Sequence, residues 1–212
     1  MKPIQPAIAT MVRALLLALS CLSSSVTLAQ TFEVTVDTSS LAGTSGFVDF
    51  QFNPADTSAP AATAGILDWL GDLSLLGAPS IEGSVIGNLP GALQLVNDTP
   101  FNDYFQSVQF GQSFSFTLDF TGAFASTPSL LGTSFALSLY AVDAITPLLS
   151  IDDTGSLVRF DLASNGITFQ TFPPDLSTAP VTQVSPVPLP AAVWLLLSAM
   201  AGLFGVRRRH SG

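Results

Sequence analysis

Apolar and polar residues alternate with a period of two through most of the middle of the chain. Six segments show this alternation clearly, and each places its apolar residues mainly on one face. A period of two is typical of β-strands with one buried and one solvated face, and the inward positions are rich in Phe, which favours strands. The six segments predicted to be strands are 31–36, 46–52, 113–120, 134–142, 156–162 and 166–172.

Segments rich in Asp, Asn, Gly, Ser and Pro separate these strands and are typical of turns. Between the last two strands the turn contains Asn165-Gly166, which predicts a β-hairpin. Strands that recur about every ten residues are typical of antiparallel sandwiches. The pattern therefore predicts an all-β fold, a jelly-roll-like antiparallel β-sandwich over residues 30–172.

One stretch of the middle, "AGILDWLGDLSLLG" (64–77), departs from the alternation. The spacing of its apolar residues favours a short helix packed against a sheet edge, and we expect at most this one helix in the domain. Gly71 weakens the helix, so strands remain the alternative. The apolar residues at helical spacing are Ile66, Trp69, Leu70, Leu73 and Leu76.

Charge is distributed unevenly along the 212 residues, whose formal net charge is −9. Five of the six basic residues lie near the two ends, whereas all fifteen acids lie between Glu33 and Asp175 with Arg159 as their only basic neighbour. The middle therefore carries fifteen negative charges against one positive charge. Such a surface repels phosphate, which excludes a nucleic-acid partner.

Most routes to catalysis are also excluded by composition. The single cysteine, Cys21, and the single histidine, His210, lie outside the predicted sandwich, which also has no lysine. An activated Ser or Cys nucleophile, a His-ligated zinc and a Schiff base are therefore excluded there, and we expect no enzyme activity. Paired carboxylates, as in glycosidases, are the remaining catalytic alternative. We expect the acids to be turn residues (Asp37, Asp56, Asp98 and Asp103) or outward strand residues (Asp119 and Asp161).

Two weaker binding signals remain in the middle of the chain. "DDTGS" (152–156) offers clustered oxygens that suit Ca²⁺, but the favoured interpretation is an ordinary Asp-Gly turn, and we expect no cofactor. Trp69, Tyr104 and Tyr140 could stack on sugar rings, with core packing as the alternative.

The first 29 residues have the three parts of a secretory signal peptide. Lys2 and Arg13 supply positive charge, "ALLLALSCL" (14–22) is apolar, and "TLA" ends at Ala29, which predicts cleavage between Ala29 and Gln30. A lipoprotein acylated at Cys21 and a buried N-terminal helix are the alternatives.

The C-terminal end combines a Pro-rich motif, an apolar run and a basic cluster. Residues 173–186 are rich in Pro, Ser and Thr and are predicted to form an extended linker. The apolar run predicts a transmembrane helix over 191–206, and the basic residues that follow are expected to stay in the cytoplasm. The motif is Val187, Pro188, Leu189, Pro190 and Ala191, and the basic stop is Arg207, Arg208 and Arg209.

These C-terminal residues, "VPLPAAVWLLLSAMAGLFGVRRR", resemble the sorting signal of the PEP-CTERM proteins in its VPLPA variant. The resemblance implies recognition and cleavage of the region 187–212 by an exosortase, with the precursor in the bacterial inner membrane. The mature protein would then reside at the cell surface or outside the cell. A simple tail anchor that keeps the helix is the alternative.

Three blocks of the middle, 34–64, 102–120 and 134–149, are similar to an uncharacterised group of PEP-CTERM proteins that share this block order. The resemblance implies a β-rich fold and an exported location but no reaction. We therefore expect a structural or adhesive protein associated with exopolysaccharide, and a carbohydrate-binding module is the alternative function.

Overall fold

The computed structural model describes residues 30–174 and 180–186, which form two antiparallel β-sheets. Sheet A has the strand order β13-β1-β9-β3-β7-β6, and sheet B has the order β12-β11-β10-β2-β8-β4, with β5 also pairing with β8. The strands are β1 (Gln30–Asp37), β2 (Ser45–Pro54), β3 (Ala62–Gly71), β4 (Ser74–Leu75), β5 (Ser80–Glu82), β6 (Val85–Gly87), β7 (Leu93–Val96), β8 (Asp103–Gln109), β9 (Ser113–Gly122), β10 (Thr133–Tyr140), β11 (Ser156–Ala163), β12 (Gly166–Thr171) and β13 (Val181–Pro186).

The two sheets face each other across an aromatic core, and this confirms the predicted all-β sandwich at the level of two antiparallel layers. Alternate residues of each long strand point inward, because the side-chain period of a strand is two. The inward residues lose almost all contact with water, which is the main favourable contribution to folding. Phenylalanines that are at least 95% buried come from both sheets: Phe32, Phe114, Phe116 and Phe120 from sheet A, and Phe50, Phe52, Phe135 and Phe160 from sheet B.

Three strand pairs are nested along the chain, so that each pair is enclosed in sequence by the previous one. β1 pairs with β9 in sheet A, β2 pairs with β8 in sheet B, and β3 pairs with β7 in sheet A. Successive nested pairs thus alternate between the two sheets. The C-terminal hairpin adds β11 and β12 to sheet B, and its predicted glycine, Gly166, has the positive φ of 131° that the tight turn requires.

In the first five predicted strands the inward apolar residues are buried, apart from Ala141, whereas in the sixth (166–172) Phe169 is 45% exposed. Leu157 is a further exception, because the alternation of β11 would place it on the solvated face with Arg159, but it is fully buried. The register between β10 and β11 shifts at Leu137/Ser138, because one extra residue of β11 is accommodated there. Such an irregularity changes the side to which the neighbouring side chain points.

The predicted helix over 64–77 is wrong, because this segment forms strands. β3 pairs with β9 so that Ile66 lies opposite Leu118, and Ile66 is fully buried. The register shifts between Leu67 and Leu70, where Asp68 has a φ of 50°, and this irregularity produces the helix-like apolar spacing. Leu70 is left 68% exposed. The described residues contain no α-helix, only two short 3-10 turns at Ser39–Leu41 and Ala123–Ala125.

The predicted linker 173–186 is also corrected, because its last six residues are a strand of the sandwich. β13 pairs antiparallel with β1, and Val184 lies opposite Val34. Val181 is 9% exposed, and the Asp37 backbone N–H donates to the Pro180 carbonyl at 2.7 Å. Prolines are compatible with this position because β13 lies at the edge of the sheet. The domain therefore extends beyond residue 172.

Within the described residues no helix is long and apolar enough to cross a membrane. The predicted signal peptide (1–29) and the predicted transmembrane helix (191–206) lie outside the described residues.

Candidate functional site on the outer face of sheet B

The outer face of sheet B brings together acidic, amide and aromatic side chains from three neighbouring strands. In β2, the residues that alternate with the buried phenylalanines point outward, and two of them are Asp49 and Gln51. The register places Asp49 opposite Phe105 of β8, and Gln51 opposite Asp103 of the same strand. Asp49 and Asp103 are therefore diagonal neighbours, close enough for their side chains to interact.

Asp49 is unusual because it faces outward and yet is only 2% exposed. Its Oδ2 atom accepts a hydrogen bond of 2.9 Å from the Gln51 side-chain amide. Its Oδ1 atom and the Oδ1 atom of Asp103 are both buried and receive no hydrogen bond from any N–H or from any hydroxyl of the described residues. Two buried carboxyl oxygens in one place are costly when both groups are ionised.

Burial is the main reason that the pKa of Asp49 rises from its ordinary value of 3.8 to about 9. A hydrogen bond with Asp103 and the negative charge of Asp103 raise the pKa further, while the Gln51 amide lowers it. Asp49 is therefore protonated at neutral pH, and its hydroxyl group can donate to an oxygen of Asp103.

An aromatic cluster adjoins this pair. The rings of Phe47 and Phe105 are stacked with centroids 4.5 Å apart, and the Tyr140 ring lies 6.0 Å from Phe105. All three side chains are half-buried. The Tyr140 hydroxyl donates to the Thr154 carbonyl at 3.3 Å, and burial followed by the charge of Asp49 raises its pKa. We call Phe47, Asp49, Gln51, Asp103, Phe105 and Tyr140 the acidic–aromatic patch.

The patch combines two carboxyl groups with aromatic and amide side chains. Glycosidases hold their two carboxyl groups about 5 Å or more apart, so that the sugar or a water fits between them. Asp49 and Asp103 are instead diagonal neighbours, close enough for Asp103 to raise the pKa of Asp49. Aromatic rings beside amide and carboxyl groups, by contrast, suit the apolar faces and hydroxyl groups of sugars. Among the described residues no group of three or more His, Cys, Asp or Glu side chains could hold a metal ion.

Of the three aromatic residues predicted as sugar contacts, only Tyr140 belongs to this patch. Tyr104 is fully buried, and its hydroxyl accepts from the Leu89 backbone N–H at 3.0 Å. Trp69 packs against the core, with its ring stacked 5.0 Å from that of Phe114. The core-packing alternative is therefore the right one for Tyr104 and Trp69.

The predicted turn and surface acids lie mostly where expected. Asp37 and Asp56 accept hydrogen bonds from the backbone N–H groups of Ser39 and Ser58, both at 2.8 Å. Asp119 accepts from the Thr31 hydroxyl at 2.7 Å, and Asp161 is exposed. In the segment 152–156 the Asp152 carboxylate accepts from the Thr154 and Ser156 backbone N–H groups, so its oxygens complete a local turn.

Asp103 is the exception, because it begins β8 and does not lie in a turn. The sequence analysis did not identify Asp49, Gln51, Phe47 or Phe105 as site residues. The available signal was the pair of short alternating segments "FVDFQF" (47–52) and "DYFQSVQ" (103–109). Each places an Asp and a Phe on the face opposite its buried residues, but their meeting depends on a pairing across about fifty residues of sequence.

The predicted processing residues lie outside the described residues with one exception. These outside residues are Ala29, the motif Val187, Pro188, Leu189, Pro190 and Ala191, and the basic stop Arg207, Arg208 and Arg209. Gln30, on the other side of the predicted cleavage position, is the first residue of β1.

No protein-family model, no curated protein and no solved structure matches this chain.

Proposed function

We propose that this chain is the precursor of an exported protein of the cell surface or extracellular matrix, with a structural or adhesive role in exopolysaccharide. The N-terminal segment directs export, and the C-terminal tail holds the precursor in the inner membrane until an exosortase removes it. The role is non-enzymatic, which agrees with a sandwich sequence that lacks His, Cys and Lys. We also propose a jelly-roll-like classification, which the nested strand pairs support.

The observation that carries this proposal is the position of the first and last strands. β1, which includes Gln30, follows the predicted signal peptide in the chain, and β13, which includes Pro186, precedes the predicted sorting motif. The two strands pair with each other, and Phe32 lies opposite Pro186. Both processing segments therefore leave the domain at the same end of one sheet edge, which suits a precursor held at one membrane by both ends.

The intact mass of the protein recovered from the producing cells tests this proposal, with membrane and medium fractions measured separately. We expect a mature species that lacks residues 1–29 and the apolar segment after Pro190. Replacing both Pro188 and Pro190 by Ala should leave the tail attached and the protein in the membrane fraction, whereas Pro186→Ala, just outside the motif, should be processed normally. A wild-type species that stays in the membrane with Arg207–Arg209 attached would instead identify a tail-anchored protein.

A second candidate function, carbohydrate binding, is favoured by the acidic–aromatic patch. Phe105 and Tyr140 are half-buried rings beside Gln51 and Asp103, as in sites that stack sugars and bind their hydroxyl groups. Affinity electrophoresis in gels containing the producing cells' own exopolysaccharide tests this function. Phe105→Ala should weaken retardation by about tenfold, equal to ~1.4 kcal/mol. Ile86→Ala, which truncates a 63% exposed apolar residue on β6 of the other sheet, is the control and should leave retardation unchanged.

A further inference from the structure

The acidic–aromatic patch is bordered by a further acid on β5, Glu82. The register places Glu82 directly opposite Asp103 of β8, and residues that pair in this way point to the same face of a sheet. Glu82 is exposed, whereas Asp103 is half-buried. Acidic side chains directly opposite each other on neighbouring strands destabilise a sheet. A ligand of positive charge would relieve this repulsion.

No basic side chain balances these acids. Within residues 30–174 and 180–186 the only basic residue is Arg159, which lies on β11. β10 and β2 lie between β11 and β8, so Arg159 is three strands away from Asp103. Its Nε atom is 3.8 Å from an Asp161 carboxylate oxygen, and its guanidinium carbon lies 5.0 Å from the centre of the Phe172 ring. The acids of the patch therefore have no counter-charge in the part of the chain that the structure describes.

Asp49 is a second, independent sign of a binding site. It is 2% exposed, and its Oδ1 atom receives no hydrogen bond from any N–H or hydroxyl of the described residues. Buried polar groups nearly always have partners, so an exception calls for an explanation such as a functional role. The register places Asp49 directly opposite Phe105 of β8. The buried acid and the aromatic rings therefore mark the same position on the outer face of sheet B.

Phe105 is the residue of the patch best placed to stack on a sugar. It lies two residues from Asp103 on the same face of β8, which is about 7 Å along the strand. Its ring stacks on Phe47 with centroids 4.5 Å apart, and the Tyr140 ring lies 6.0 Å away. Aromatic faces attract cations as well as the apolar faces of sugars. A sugar that stacks on Phe105 can therefore place a charged substituent beside Asp103 and Glu82.

We propose that the polysaccharide bound by this patch contains amino sugars with free, positively charged amino groups. The sugar rings stack on Phe105 and Tyr140, and the ammonium groups bind Asp103 and Glu82. This inference rests on the carbohydrate binding proposed above and names the class of its ligand. The fourteen carboxyl groups of the described residues attract such a polymer and repel a polymer of uronic acids. A neutral polymer gains the stacking but leaves the acids without a counter-charge.

Isothermal titration calorimetry of the purified full-length chain tests this inference, at a mildly acidic pH that protonates amino groups. The probes are oligomers of glucosamine and of N-acetylglucosamine with equal length and linkage, because the acetyl group removes the charge of the nitrogen. We expect the glucosamine oligomer to bind at least about tenfold more tightly. Equal or tighter binding of the N-acetylated oligomer would overturn the inference and leave carbohydrate binding in place. Binding of neither would also overturn it, and retardation by the native exopolysaccharide then decides whether carbohydrate binding fails too.

Two matched substitutions separate the patch from the general acidity of the domain. Glu82→Gln and Glu33→Gln each remove one charge from an exposed glutamate, the first beside the patch and the second on the outer face of sheet A. Glu82→Gln should weaken binding of the glucosamine oligomer by about threefold, as expected for one exposed ion pair. Glu33→Gln should leave it unchanged. Equal effects of the two substitutions would overturn the proposal.

A lysine oligomer of equal charge controls for attraction by charge alone. Phe105→Ala should weaken binding of the glucosamine oligomer by about tenfold and leave that of the lysine oligomer unchanged, because the peptide has no sugar face to stack on the ring. Circular dichroism checks that the variant is folded. An equal loss of both oligomers would assign the patch to a basic peptide and overturn the proposal, as would unchanged binding of the glucosamine oligomer.

Discussion

At the scale of single residues, Asp49 is the side chain whose environment differs most from what its chemistry prefers. A lone buried carboxylate is strongly disfavoured, so burial and the neighbouring Asp103 keep Asp49 protonated and neutral at neutral pH. Its folded-state pKa of about 9 lies above its ordinary value of 3.8. The folded protein therefore binds more protons than the unfolded chain between these two values, and this contribution to stability is lost as the pH rises from about 4 to about 9.

Asp49→Asn should remove this pH dependence. The Asn side chain keeps an oxygen for the Gln51 amide and presents an N–H to Asp103, as the protonated acid does. We expect the variant to be more stable than the wild type at neutral pH. The advantage should grow with pH by up to ~1.4 kcal/mol per unit and level off above about pH 9. Denaturant unfolding at several pH values, followed by intrinsic fluorescence, measures it.

Asp153→Asn is the control for Asp49→Asn, because it removes one negative charge at an exposed turn position. Its stability should follow the wild-type pH profile. If the Asp49→Asn profile also runs parallel to that of the wild type, the pKa of Asp49 is not raised by folding.

At the scale of secondary-structure elements, β13 decides where the domain ends. The prolines and hydroxyl residues of 173–186 favour a linker, but Val181 and Val184 supply an apolar side that packs on the sandwich. The composition of the segment obscured this short strand, since four of its six residues are polar or proline. Contact with β1, rather than local sequence, fixes its conformation.

Val181→Ser should therefore destabilise the domain by about 1–2 kcal/mol, because it removes buried apolar surface and places a hydroxyl against β1. Gln183→Ser, at an exposed position of the same strand, should change the free energy of unfolding by less than about 0.5 kcal/mol. Chemical denaturation of the purified protein measures both. Equal, negligible effects would indicate that 181–186 contributes nothing to the fold.

The alternating segments could be predicted because a strand that buries one face shows a period of two in its own sequence. The segment 64–77 could not, because the irregularity between Leu67 and Leu70 interrupts the period of two. A regular spacing of Ile66, Trp69, Leu70 and Leu73 then fits a helix as well as it fits a bulged strand. Only the partner strand β9, about fifty residues further along the chain, decides between the two.

At the scale of the whole molecule, the winding of the chain creates features that no single segment carries. The acidic–aromatic patch joins residues 47–51, 103–105 and 140, which meet only because β8 and β10 lie on either side of β2. The sequence predicted that each strand has a solvated face opposite its buried residues. It did not predict which residues would be neighbours, because strand order and register depend on the packing of both sheets.

The charge of the whole domain leads to a prediction about salt. Fourteen carboxyl groups and one arginine occupy the described residues, and the ion pair between Arg159 and Asp161 is exposed and contributes little. Repulsion therefore dominates the long-range electrostatics, and it is screened when the Debye length falls from about 30 Å at ~0.01 M salt to about 8 Å at ~0.15 M. We expect the thermal unfolding midpoint to rise over this range of NaCl at neutral pH.

Asp98→Asn combined with Asp153→Asn tests the origin of this salt effect, because both acids are exposed and their removal lowers the net negative charge by two. The variant should be less sensitive to NaCl than the wild type and more stable at the lowest salt concentration, since fewer like charges then oppose the compact state. An unfolding midpoint that falls as NaCl is added would mean that attractive pairs outweigh repulsion. That result would contradict the expectation that the burial of phenylalanine stabilises this domain while its net negative charge destabilises it.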